Sequence, residues 1–362
     1  MKIAPLIRAI NIHNKDLKQR RRFINRILVH TGQHYDYDMS KIFFDDLGIP
    51  EPDYYLEAGP GTHAGQTAKI MIKFEEVCIN EKPDLIMVVG DVNSTLACSI
   101  TAKKLNVKVA HIEAGLRSGD MTMPEEINRI VTDSISDYLF VTEKKGLENL
   151  RTEGKDETQI FFVGHVMIDN LIHKMESLDD SSFDTTSLKH KHSQYLFLTL
   201  HRPSNVEDYE VFKKILDGLN EIAEEIPIFF PIHLRTRESL RRFGLKPSKN
   251  IILLKPLSFS ESLYLWKGAK AVLTDSGGLQ EETTALGVPC LTLRENTERP
   301  VTVETGTNTL VGSDMDKVKD NVSDIIQKRY KKGQIPEKWD GKASKRIVKI
   351  LDYLLRHKKG GS

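Results

Sequence analysis

The chain of 362 residues has no apolar segment approaching the ~20 residues that a membrane-spanning helix needs, and no leader pattern is visible. The expectation is a cytoplasmic protein with no membrane partner. Neither sign of charge is in excess: Lys and Arg number 52, Asp and Glu 51, for a formal net charge of +1. No global field therefore draws the chain to nucleic acid or anionic lipid. The basic run Lys18-Gln19-Arg20-Arg21-Arg22 is short and reads as a solvated helix face, so no nucleic-acid partner is expected. Cysteine is scarce. Cys78, Cys98 and Cys290 are far apart and odd in number, which excludes a disulfide scaffold and any zinc-type spacing and suits buried, reduced thiols.

What is present is alternation. Apolar runs of strand length stand at Arg26–Thr31, Leu85–Val89, Val107–Ile112, Tyr138–Val141 and Ile160–Val163, with helical patterns between them at Ala64–Asn80, Ser94–Leu105 and Glu126–Ser136. A second set follows at Tyr195–Leu200, Ile226–Ile232, Ile251–Leu254, Ala271–Thr274, Cys290–Leu293 and Thr309–Val311, with helices at Tyr209–Glu224, Glu261–Lys267 and Leu279–Leu286. Such alternation marks parallel sheets with helices on both faces. The expected fold is α/β: two Rossmann-like doubly wound domains with a cleft between them. Domain one is placed at 1–176 and a polar linker at 177–193. Domain two is placed at 194–343, and a C-terminal helix near Ser344–Arg356 with its tail at 344–362. The His190 and His192 pair in the linker reads as polar spacer rather than metal site.

The densest chemistry lies in His111-Ile112-Glu113-Ala114-Gly115-Leu116-Arg117, followed by Pro124-Glu125-Glu126-Ile127-Asn128-Arg129. A strand ending in charges and small turn-formers delivers its side chains to the rim of the sheet. In open parallel sheets, ligands bind outside those carboxyl ends. The preceding strand also ends in an acid, Gly90-Asp91, and two neighbouring strand ends carrying acids point to an active site.

In the second half, Ala271–Thr274 runs into Asp275-Ser276-Gly277-Gly278 and then a helix beginning Leu279-Gln280-Glu281-Glu282. Adjacent glycines allow close approach of backbone amides to an anion, and a helix N-terminus adds unpaired N–H donors and partial positive charge. Ser276 offers a hydroxyl, and Glu282, one turn inside, suits the two hydroxyls of a ribose. Ser-Gly-Gly alone is weak evidence; at a strand's carboxyl end it favours a nucleotide diphosphate. His201-Arg202-Pro203 ends another strand and is placed to meet phosphate or sugar. His233, Arg235 and the segment Arg294–Pro300 add polar groups that ordinary loops also carry.

Together with Thr31-Gly32-Gln33-His34 and Thr297-Glu298-Arg299-Pro300, these motifs resemble, in order and spacing from about Lys2 to Leu355, the non-hydrolysing UDP-N-acetylglucosamine 2-epimerases. The resemblance implies the GT-B type of paired Rossmann-like domains, a homodimer, and UDP held by the second domain. It implies interconversion of UDP-N-acetylglucosamine and UDP-N-acetylmannosamine without NAD or a required metal, feeding surface polysaccharide synthesis. By motif position it makes Asp91, Glu113 and Glu125 the catalytic carboxylates, with His201 and Lys2 beside them. It makes Arg117, Arg202, Ser276, Gly277, Gly278, Glu282 and Arg299 substrate contacts. The family's usual first strand and Gly-Thr-Arg-Pro-Glu loop precede the segment seen here as Met1–Ile7, so that strand and its arginine are expected to be lacking. Val92 and Pro203-Ser204 also depart from the family's usual residues. A regulatory substrate site is matched only at Gln33 and His34.

The implied reaction explains several acids rather than one. The proton on carbon 2 is weakly acidic until the bond from carbon 1 to UDP breaks, so elimination to a glycal and re-addition need proton carriers on both faces. Mutual repulsion of clustered acids lets one hold a proton while another stays a base. A hydrolysing relative releasing N-acetylmannosamine, a retaining GT-B transferase and a UDP-sugar-binding pseudoenzyme are the alternatives.

Overall fold

The computed structural model describes residues 2–16, 23–32, 44, 47–178 and 183–357. The basic run at 18–22, Gln33, His34 and the tail beyond 357 lie outside them. The chain divides into two units, Met1–Asn170 with Glu337–Ser362, and Leu171–Pro336. None of the helices among the described residues is long and apolar enough to cross a membrane.

In the first unit, β3 (Leu85–Val89), β4 (Lys108–Ala114), β5 (Tyr138–Val141) and β6 (Ile160–Phe162) form a parallel sheet in that order. A separate parallel pair joins β1 (Val29–His30) to β2 (Tyr54–Tyr55). The sequence reading placed a six-residue strand around β1 and missed β2, whose two residues are too few to show alternation.

Two layers of helix cover the unit's core. The helix His63–Glu81 starts where the Thr62 side chain accepts the Gly65 N–H and stops at Lys82 in a left-handed conformation, φ +46°. Its buried residues Ile70, Phe74, Val77 and Cys78 recur at helical spacing and meet Val88, Ala97, Cys98 and Val109. Elsewhere in the core, Leu6 of the helix Ala4–Asp16 and Ala343, Ile347 and Leu351 of the helix Ala343–His357 pack on Ala110, Ile112 and Phe140. That last helix belongs to the first unit. Buried Asp169 fixes its start by accepting the Ala343 and Ser344 N–H groups at 3.0 and 2.6 Å.

The second unit carries β7 (Leu196–Thr199), β8 (Ile228–Pro231), β9 (Ile251–Leu254), β10 (Ala271–Thr274), β11 (Cys290–Thr292) and β12 (Asn308–Leu310). All pairs are parallel, in the order β12-β11-β10-β7-β8-β9. The order reverses between β7 and β10, which makes their carboxyl ends the switch point where ligands bind in open sheets. The core is continuous, from Phe212, Ile215 and Leu219 of the helix Tyr209–Glu225 to Leu198, Phe230 and Leu273.

One expectation needs correction. The polar stretch read as a linker contains a helix, Thr186–Lys191. It is fastened to the second unit by Thr185 Oγ1 on Glu261 at 2.9 Å and Lys189 Nζ on the Tyr264 carbonyl at 3.0 Å. A six-residue helix with no buried residue leaves no hydrophobic period to read.

Candidate active site

The first cluster stands at the carboxyl ends of β3 and β4. The two strands pair Val89 with Ile112, and the Gly90 N–H bonds the Ile112 carbonyl at 3.0 Å, so Asp91 and Glu113 emerge side by side. At Glu113 the ladder slips: β4 pairs with β5 through Ile112 and then Ala114, and Glu113 adopts φ +77°. A non-glycine residue held left-handed at a bulge is costly and persists only where its surroundings force it. The effect is to turn this side chain, only 2% exposed, toward the Gly90 loop. There Lys2 Nζ meets Glu113 Oε2 at 2.6 Å, and it lies 3.1 Å from where a Cβ on Gly90 would stand.

Asp91 has its own cation. Arg129 donates Nε and Nη2 to Asp91 Oδ2 at 3.0 and 2.7 Å. The same guanidinium bonds Glu126, whose oxygens accept the Ser118 and Gly119 N–H groups at 2.9 to 3.0 Å. Burial works against the charge of Glu126, yet those backbone donors and Arg129 hold its carboxyl below the usual range. The repulsion expected between Asp91 and Glu113 is therefore offset by Arg129 and Lys2. Glu125 is half-buried in the first turn of the helix Pro124–Ile135, and its side chain makes no hydrogen bond or ion pair among the described residues.

His111 and Arg117 have structural partners. His111, fully buried, places Nδ1 2.6 Å from Asp133 Oδ1 and Nε2 2.9 Å from the Gly90 carbonyl. Arg117 donates to Glu153 through Nε and Nη2 at 2.8 and 2.7 Å, and its Nη1 lies 2.8 Å from Asp133 Oδ2. Arg117 was expected as a substrate contact; in the structure its guanidinium is engaged by Glu153 and Asp133.

The second cluster stands at the switch point. Thr199 and Thr274 are register partners with their hydroxyls 2.6 Å apart. Just beyond them, His201 Nδ1 lies 2.8 Å from Oδ1 of Asp275, a residue with no exposed surface. Arg202 donates Nε to the Asp275 carbonyl at 3.0 Å. Ser276 is the N-cap of the helix Gly277–Leu286 but makes no side-chain cap bond, and the first turn carries no acid. Glu298 Oε1 lies 2.7 Å from where a Cβ on Gly277 would stand, so glycine is what lets a carboxylate reach this helix start. Burial opposes the Glu298 charge, but Arg299 and Arg294, the latter at 2.8 Å, bring its pKa down to about 2. Arg299, expected as a substrate contact, is 7% exposed and meets Glu281 at 2.6 Å.

Glu282 sits one turn in, buried, its side chain with no hydrogen bond or ion pair among the described residues. Burial and neighbouring Glu281 push its pKa up to about 8 from an ordinary 4.5. A protonated carboxyl both donates and accepts, as a vicinal diol requires. The raised value also costs stability: the protein is favoured by this group below pH 4.5 and loses that advantage as pH rises toward 8. Glu282→Gln should therefore unfold at a higher temperature than the unsubstituted protein at pH 8.5 and at nearly the same temperature at pH 4.5. An equal difference at both pH values in calorimetric scans would contradict the shift.

Sequence reasoning quoted Glu126, Arg129 and Asp275 within its motifs without giving them a role, and it did not single out Asp133. For Glu126 and Arg129 the signal available was an acid and an arginine one helical turn apart. Asp133 also stands one turn after Arg129, but its partners His111, Gly115 and Arg117 come from β4 and the segment that follows it.

The chain matches the family model described as UDP-N-acetylglucosamine 2-epimerase over residues 15–352. It is 42% identical to the UDP-N-acetylglucosamine 2-epimerase of Methanocaldococcus jannaschii, over 98% of this chain and 96% of that one. It is 41% identical to the UDP-2,3-diacetamido-2,3-dideoxy-D-glucuronate 2-epimerase of Pseudomonas aeruginosa, over 91% of this chain and 92% of the relative. The crystal structure of the M. jannaschii enzyme in complex with UDP-GlcNAc and UDP superposes with a TM-score of 0.82 at 42% identity, covering 97% of this chain and 96% of that one. Full-length identity, the GT-B fold of these neighbours and the order of the motifs agree, and the chain belongs to the UDP-N-acetylglucosamine 2-epimerase family.

Proposed function

We propose that this epimerase interconverts UDP-N-acetylglucosamine and UDP-N-acetylmannosamine by eliminating UDP and adding it back. A carboxylate takes the carbon 2 proton, the electrons of that C–H bond form the double bond to carbon 1, and the carbon 1–oxygen pair leaves on the diphosphate. Return of a proton to the opposite face of carbon 2, with re-attack of the diphosphate oxygen on carbon 1, completes the inversion. The observation that carries this reading is the pair Asp91 and Glu113 at adjacent strand ends, each beside its own cation. Lys2 and Arg129 keep two acids together without mutual discharge, and Glu125, unpartnered among the described residues, supplies a third proton carrier. Arg117 is assigned a supporting role through Asp133, and Arg299 one through Glu281.

In the second unit, the N–H groups of Gly277 and Gly278, the Ser276 hydroxyl, Arg202 and His201 are assigned to the diphosphate, whose charge grows as it leaves. Glu282 is assigned to the ribose hydroxyls. We place the enzyme in the cytoplasm as a homodimer, supplying an activated amino sugar for surface polysaccharide.

A second substrate class is set by the P. aeruginosa relative, nearly as similar as the M. jannaschii one and named for a diacetamido glucuronate. Incubation with each UDP-sugar in deuterated water, followed by proton NMR, separates the readings. The expected result is a mixture of the two N-acetylhexosamine nucleotides labelled at carbon 2. Free N-acetylmannosamine would indicate hydrolysis, and turnover of the diacetamido sugar alone would move the substrate assignment. Binding without turnover of either would sink the enzyme reading.

A further inference from the structure

We infer that Asp275 is a positioning residue for His201: it fixes which ring nitrogen carries a proton and leaves the other presented at the switch point. The inference deepens the assignment of His201 to the diphosphate and rests on it. Asp275 has no exposed surface, and all of its partners point the same way. Its Oδ2 accepts the backbone N–H of His201 at 2.9 Å and of Arg202 at 2.8 Å, with the Asn205 amide at 3.3 Å. Its Oδ1 is left for the ring, 2.8 Å from Nδ1. Burial opposes the charge of Asp275, but the bonds from His201 and Arg202 outweigh it and hold the carboxyl below its usual range. An ionised carboxylate only accepts, so a proton in this 2.8 Å contact belongs to Nδ1.

The backbone of His201 is fixed as well. Its N–H is on Asp275, and its carbonyl accepts Arg235 Nη1 at 3.0 Å. The ring, 41% exposed, therefore offers Nε2 as its free atom, and a proton placed there is aimed outward as a donor to an anion. His233, with its ring centroid 5.8 Å away, turns Nδ1 to the Arg235 N–H at 3.2 Å. Among the described residues, Asp275 is the acid placed against the His201 ring.

Asparagine at 275 separates this role from simple packing. Two backbone N–H groups face Oδ2, so the amide oxygen must stay there and its NH2 must turn toward His201. The ring is then forced to accept at Nδ1 and to carry its proton on Nε2 alone, a shape-conserving change that inverts the tautomer.

The test uses the full chain labelled with ring-15N histidine, as the unsubstituted protein and as Asp275→Asn, His201→Asn and the double variant. In the unsubstituted protein the His201 nitrogen shifts should show a protonated Nδ1, and in Asp275→Asn they should show a bare one. The kcat for UDP-N-acetylglucosamine should fall roughly 10- to 100-fold in Asp275→Asn, as when a supporting bond to an essential histidine is lost. The double variant should be no slower than His201→Asn, because the two residues act as a unit. An unprotonated Nδ1 in the unsubstituted protein overturns the inference without any variant, including the case in which Asp275→Asn does not fold. So does a kcat loss from Asp275→Asn that is just as large on the His201→Asn background. Should the unsubstituted protein bind UDP without epimerising, the proposed reaction fails, and the nitrogen spectrum still decides the role of Asp275.

Discussion

Glu113→Gln should lose deuterium incorporation at carbon 2 by about a thousandfold or more, within the range that a positioned acid or base contributes. Three features make this the most sensitive carboxylate. It is almost fully buried, it is held at φ +77° by a slipped ladder, and Lys2 Nζ stands 2.6 Å from its Oε2. Glutamine keeps the shape and removes the negative charge, so the protein should remain folded. Lys2, 27% exposed at its side chain, can rehydrate and is not stranded in the core. UDP affinity, measured by calorimetry, should stay within about threefold, because the groups assigned to UDP all belong to the second unit. Exchange at the unsubstituted rate would remove Glu113 from the reaction. Loss of exchange together with loss of UDP binding would instead point to a damaged fold. Glu125→Gln is the matched comparison. Without hydrogen bonds among the described residues, it should change the reaction and leave the unfolding temperature alone.

The acids were legible because their positions follow from chain order. Gly90-Asp91 and His111–Arg117 each follow an apolar run of strand length, and a parallel sheet delivers such segments to one rim. The second unit was legible for the same reason, and β9 and β10 have the bounds expected of them. What the sequence hid is direction. Arg117 and Arg299 were expected as substrate contacts, and in the structure their guanidiniums also meet Asp133 and Glu153 in one case and Glu281 in the other. A motif fixes spacing along the chain, whereas an arginine with several rotatable bonds chooses among acids that only the fold brings near. Asp275 was hidden for a related reason. Its side chain is wholly spent on the turn after β7, and that turn lies more than seventy residues earlier. Short elements were hidden too: β2 has two residues, and the helix Thr186–Lys191 buries none.

Gly115→Ala should cost roughly 3 kcal/mol or more, the sum of a left-handed backbone penalty and a steric one. Gly115 holds φ +82°, and a Cβ there would stand 2.4 Å from the Gly146 carbonyl oxygen and 2.9 Å from its carbon. Those are backbone atoms at the start of the helix Lys144–Thr152, so no rotamer change relieves the overlap. One of the two segments must move, and Gly115 is tied on both sides. Its N–H donates to Asp133 Oδ2 at 3.0 Å, and its carbonyl accepts Asn149 Nδ2 at 2.8 Å. Shifting it disturbs the buried Asp133 group that also holds His111 and Arg117, and it reaches Glu113 two residues away. For a unit of this size the loss corresponds to a fall of roughly 6–12 °C in unfolding temperature. Activity should fall with it, even below the transition. Gly154→Ala isolates the backbone term: Gly154 has nearly the same conformation, φ +78°, and nothing within 4 Å of the added carbon. That variant should lose only about 1–2 kcal/mol and keep its kcat. If the two variants unfold at the same temperature, the close approach of Gly115 to Gly146 carries no energy and the Glu113 bulge is held by something else. A gap of several degrees, with the kcat loss confined to Gly115→Ala, would tie the strained carboxylate to the packing of the helix Lys144–Thr152.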